Sequence, residues 1–133
     1  MRESMIAYLA AAFAMVVLDY CWLTLMGGLY HHVLGPILAD KPFLPAALAF
    51  YLLYLAGVVY FAVRPALESG GWHQALVPGA VLGLIAYGTY DLTNMATLKV
   101  WSWHITVLDM AWGTVLTAIA AGTGAAAALA FER

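Results

Sequence analysis

Residues 6–26 read IAYLAAAFAMVVLDYCWLTLM. About 20 mostly apolar residues suffice to carry a helix across a bilayer, and the only charge in this run is Asp19. The whole chain argues the same way. Its 133 residues are 65% hydrophobic and 9% charged, with a mean hydropathy of +0.90. Soluble domains carry about 25% charged residues. A soluble fold of this size leaves roughly 30% of its unfolded-chain surface in water, more than so little polar material can cover. Lipid is the solvent that fits. Arg2 precedes the first run as it would precede a signal peptide. The run is too long for one, contains Asp19 and has no clean small-residue cleavage pattern after it, so it is read as a retained first span.

Three further runs qualify. Taking all four, the spans are about Ile6–Met26, ended by Gly27-Gly28; about Phe43–Val63, closed by Arg64-Pro65; about Ala75–Leu98, with Lys99 at its end; and about Ile105–Ala130, with Glu132-Arg133 beyond. Only helices and closed barrels satisfy backbone groups in lipid, and these runs are too long and continuously apolar for barrel strands. Residues 65–74 (PALESGGWHQ) read as a polar turn. Residues 99–104 (KVWSWH) place Trp101 and Trp103 in a headgroup belt. Short connections force neighbouring helices antiparallel. The expected fold is therefore all-α: one domain over residues 1–133, a four-helix transmembrane bundle running up and down. Residues 27–42 (GGLYHHVLGPILADKP) form either a short interfacial helix or a loop. Gly79, Gly83 and Gly88 in the third span, and Ala118 and Gly122 in the fourth, are material for close helix packing.

The charges give an orientation and exclude some functions. Arg2, Arg64 and Arg133 fall on one side and Lys41 and Lys99 on the other, so the positive-inside bias places both termini in the cytoplasm. A net charge of -2 leaves no basic patch for nucleic acid. The lone cysteine, Cys21, rules out an internal disulfide and reads as a small buried hydrophobe.

The candidate site is a polar layer. Asp19, Asp91 and Asp109 all sit inside apolar runs, where a carboxylate costs roughly 3 kcal/mol or more near the bilayer centre. At 1.5 Å per residue, all three fall roughly 7–12 Å below one face of the membrane, the face carrying His31 and Lys99. Tyr51 and Tyr54 cross the layer from the second helix. Asp91 and Asn94 share a face of the third, with Tyr87 one turn earlier. The polar run Thr89–Thr97 (TYDLTNMAT) is expected to turn its polar side into the bundle. Lys99 can snorkel toward a carboxylate. A short echo joins two helices: Leu18-Asp19-x-x-Trp22-x-Thr24 and Leu108-Asp109-x-x-Trp112-x-Thr114. In each, an indole one turn from the aspartate can pack beside it or donate its N–H.

These residues resemble a bacterial membrane family, domain of unknown function 2177. The resemblance is carried by Phe50–Leu67 (FYLLYLAGVVYFAVRPAL), Tyr87–Trp101 (YGTYDLTNMATLKVW) and Leu108–Leu116 (LDMAWGTVL), with Asp19 and Trp22 fitting the same pattern. It implies a small four-helix integral membrane protein of the bacterial inner membrane. It implies no activity or catalytic residue.

Two readings of the polar layer stay open. In one, Asp19, Trp22, Tyr51, Tyr54, Tyr87, Asp91, Asn94, Lys99, Asp109 and Trp112 form a binding site for a polar lipid head group, small cation or proton. In the other, the carboxylates are interhelical hydrogen-bond glue, worth roughly 0.6–2 kcal/mol each, in a structural or accessory subunit of a larger membrane complex. Membrane lipid is the expected partner, with a homodimer or larger complex as further possibilities. No cofactor or metal is expected. Adjacent His31 and His32 point about 100° apart on a helix, poor geometry for joint chelation, and no mid-span histidine pair suits haem. Nucleophile-elbow and phosphate-loop patterns are missing from the sequence, so whether the protein is an enzyme stays open.

Overall fold

The computed structural model describes residues 1–131. Arg133, counted above toward orientation, and Glu132 lie outside the described residues. Helix α1 spans Arg2–Leu34. Helix α2 starts at Leu44 and is α-helical to Val58, then passes through a π-helical turn, Val59–Val63, and a last α-helical stretch, Arg64–Glu68. A 3-10 turn, Trp72–Ala75, leads into helix α3, Leu76–Thr97. Helix α4 spans Trp103–Phe131. There is no strand among the described residues, and each of the four helices is long and apolar enough to cross a membrane. The chain is an integral membrane bundle of four helices. Phe13, Leu25, Leu53, Phe61 and Val77 are all exposed on the helix faces, as a surface solvated by acyl chains requires, and Cys21, expected to be buried, is exposed with them.

Two helix ends differ from expectation. Gly27-Gly28 does not end α1. Glycine inside a helix costs about 1 kcal/mol relative to alanine, but leaving the helix would also strip backbone hydrogen bonds near lipid. The stop comes at Gly35-Pro36, where Pro36 has no N–H to give the His32 carbonyl and its ring crowds that carbonyl. A single 3-10 turn, Gly35–Ile37, follows, so the first half of the segment expected to be an interfacial helix or a loop is the end of α1. Arg64-Pro65 does not close α2 either. Pro65 has no N–H, and its ring would strike the carbonyl of Phe61 in a regular α-helix. The turn before it opens instead, and the Arg64 N–H bonds the Val59 carbonyl. The helix stops beyond Glu68 in a Schellman motif: Gly70 has φ 78°, its N–H bonds Leu67 O, and the Gly71 N–H bonds Ala66 O.

Helix α4 is the hub, packed by α1 and α3 and touched by α2. Small residues allow this. A Cβ on Gly83 of α3 would lie 2.1 Å from the Gly113 carbonyl oxygen of α4, and one on Gly124 of α4 would lie 2.8 Å from the Ala7 carbonyl oxygen of α1. Ala7, Ala11, Ala120, Ala121 and Ala125 are fully buried at these contacts. Such backbone proximity maximises dispersion contact, which drives helix association where lipid removes the hydrophobic effect. The Tyr8 hydroxyl donates to Leu52 O at 3.0 Å, tying α1 to α2. Arg64 shares a surface groove with Ser4 and Met5, and Arg2 shares another with Phe131. Both termini and the α2–α3 turn therefore sit at one end of an up-and-down bundle. The α1–α2 and α3–α4 connections sit at the other.

Candidate functional site

The far end of the bundle holds the polar machinery. Asp19 and Trp22 are three residues apart on α1 and share a face. Tyr30 returns to that face about three turns beyond Asp19, because α1 continues past its glycines. On α4, Asp109 and Trp112 repeat the spacing. Since α1 and α4 are antiparallel, each indole faces the carboxylate of the other helix rather than its own. Trp112 Nε1 donates to Asp19 Oδ1 at 3.1 Å, and the Tyr51 hydroxyl of α2 donates to Asp19 Oδ2. Trp22 Nε1 donates to the Tyr30 hydroxyl at 3.0 Å, and that hydroxyl donates to Asp109 Oδ1. The two indoles stack with ring centroids 4.5 Å apart and planes inclined by 6°. The echo LDxxWxT is thus a nearly reciprocal clasp: Trp112 meets Asp19 directly, and Trp22 meets Asp109 through Tyr30.

The clasp forms one wall of a cleft of about 650 Å³. Tyr87 and Tyr90 of α3 and Trp101 of the α3–α4 connection line it as well. His31, Leu38, Ala39, Asp40 and Pro42 also border it. Tyr87 is seated by Gly113, where a Cβ would lie 2.1 Å from the tyrosine ring. Trp101 is fixed by its own N–H, which donates to Thr106 Oγ1 at 2.9 Å. Asp19 is only 8% exposed yet borders this space. Its two oxygens each accept one hydrogen bond, and a carboxylate has about four acceptor positions, so acceptor capacity remains.

Of the residues expected in the site, Asp19, Trp22, Tyr51, Tyr87, Asp109 and Trp112 border the cleft. Tyr54, Asp91, Asn94 and Lys99 do not. Tyr54 is buried deeper, sharing a hydrogen bond of 2.7 Å with Thr117 of α4. Asp91 is 0% exposed, and among the described residues neither of its oxygens has a hydrogen-bond partner. Asn94 is half-buried, and Lys99 is exposed. The run Thr89–Thr97 does not turn its threonines inward. Thr89, Thr93 and Thr97 are exposed, and their hydroxyls bond the carbonyls of Ile85, Thr89 and Thr93 in their own helix, which satisfies them without a partner helix. Tyr30 and Asp40 escaped the sequence reading. Tyr30 was masked by the assumption that two glycines end a helix. The helical spacing from Asp19 was the available signal. Trp101 was assigned to the headgroup belt, but it lines the cleft.

The arrangement defines a class: a four-span membrane protein with an aromatic, acid-lined cleft at one end. The chain belongs to the family described as predicted membrane protein, domain of unknown function 2177, whose pattern matches residues 4–126. Neither the curated proteins nor the solved structures contain a significant match to it.

Proposed function

We propose that this protein binds the polar end of a membrane amphiphile in the cleft bordered by Asp19 and Asp109. One observation carries the reading: two carboxylates from separate helices, held by the tryptophan clasp, border a space of about 650 Å³. Small-molecule sites occupy roughly 300–1,000 Å³ and combine aromatic walls with a few placed polar groups. A lone proton or bare cation needs no chamber of this size, so a head group is the better fit. The exposed apolar helix faces beside the cleft give an acyl chain a place to lie.

The test is native mass spectrometry of the chain purified in mild detergent. A lipid adduct on the wild type, lost in Asp109→Asn at unchanged helicity, supports the reading. A bare wild-type chain, or an adduct retained unchanged in the variant, overturns it. The same bonds also favour a second reading, a structural or accessory subunit, because Asp19 ties α1 to both α2 and α4. Under it, the variant lowers stability and leaves lipid content alone.

The localisation proposed is the bacterial inner membrane with both termini cytoplasmic. Arg2 and Arg64 lie at the termini end, and Lys41 and Lys99 flank the cleft end. The positive-inside bias then directs the cleft to the outer face of that membrane.

A further inference from the structure

Resting on the head-group reading, we infer that the ligand's polar end is an organic ammonium. Three observations converge. First, the charged groups bordering the cleft are of one sign: Asp19, Asp40 and Asp109 contribute carboxylates, and among the described residues no lysine or arginine lines it. A head group with no cation of its own would lose its hydration there and set its negative charge against these carboxylates. Second, the walls are aromatic. Trp22, Trp101, Trp112, Tyr51, Tyr87 and Tyr90 present rings to the space, and ring faces attract ammonium groups, most strongly when water is excluded. Third, the known partners of Asp19 and Asp109 are all O–H or N–H donors, the environment that suits an acceptor-only carboxylate. Its remaining acceptor positions are what an ammonium N–H or a quaternary nitrogen would face.

A metal ion fits the space less well. Among the described residues no group of three or more His, Cys, Asp or Glu converges as metal ligands do, and the volume far exceeds one ion. The ammonium has two possible sources, a zwitterionic lipid or a free amine. Lys41 does not line the cleft but lies in the chain between two lining residues, Asp40 and Pro42, a position from which a cation suits the phosphate of an ethanolamine lipid whose amine points inward.

The experiment is calorimetric titration of the full chain in maltoside detergent with three probes: dihexanoyl-phosphatidylethanolamine, dihexanoyl-phosphatidylglycerol and ethanolamine. We expect saturable binding of the ethanolamine lipid, with the glycerol lipid at least tenfold weaker. Binding of the ethanolamine lipid alone assigns the source to lipid. Binding of free ethanolamine as well assigns it to the amine itself, and either result supports the inference. Equal binding of the two lipids keeps the head-group reading and overturns the ammonium. Binding of none of the three overturns both. Asp109→Asn should weaken the ethanolamine lipid at least tenfold. Tyr90→Leu, at an exposed position with no part in the clasp, should weaken it several-fold with the fold preserved. Unchanged affinity in both variants places the ligand elsewhere and overturns the inference.

Discussion

Asp19 and Asp91 are both buried aspartates in apolar helices, and they should respond differently to the same substitution. Asp19 accepts from Trp112 and Tyr51. Asparagine would set an amide donor against one of these donors. Asp19→Asn should therefore cost about 1–3 kcal/mol, read as a lower unfolding midpoint in detergent. Asp91 accepts nothing among the described residues, so no bond is lost when asparagine replaces it. Asp91→Asn should leave the midpoint unchanged or raise it, and should leave lipid retention intact. Nothing in the sequence separates these two residues. Both look like carboxylates at one depth, and only the rotation of each helix against its neighbours decides which one meets donors. Tyr51 and Tyr54 make the same point: one turn apart on one helix, the first reaches the cleft and the second bonds Thr117 in the core.

Among elements, the glycines divide into those that pack and those that do not. Gly83 has the α4 backbone against it, and Gly28 has nothing within 4 Å. Gly83→Ala should force α3 from α4 and lower stability by about 1–3 kcal/mol or more, as overpacking does. Gly28→Ala should raise it by about 0.5–1 kcal/mol through reduced backbone freedom. Thermal unfolding of the pair in one detergent checks both signs. The spacing of Gly79 and Gly83 was legible as packing material, and composition alone marked out the four spans. Helix ends were legible only in part. The Gly27-Gly28 and Arg64-Pro65 signals are rules learned where water can take over freed backbone groups. Near lipid the chain keeps its helix through both places, bridging the second with a π turn.

For the whole molecule, an even number of spans puts both termini on one side, and the cleft on the other. In a Cys21→Ser background, Lys41→Cys should react with a membrane-impermeant maleimide added outside intact cells, and Arg64→Cys should react only after the membrane is opened. The reverse pattern would invert the proposed orientation. The class of fold was legible because it depends on summed hydropathy. The cleft was not, because it is assembled from side chains on α1, α2, α3 and α4 whose facing depends on how those helices rotate together.

The parallel indoles of Trp22 and Trp112, 4.5 Å apart, have an optical consequence. Transition dipoles this close couple, and an in-plane twist between the two rings turns that coupling into an excitonic band in the ultraviolet circular dichroism spectrum. Trp22→Phe and Trp112→Phe should each abolish it completely, since one chromophore cannot couple alone. Any event that pries α1 from α4 at this level would then report itself in that spectrum, with no dye attached.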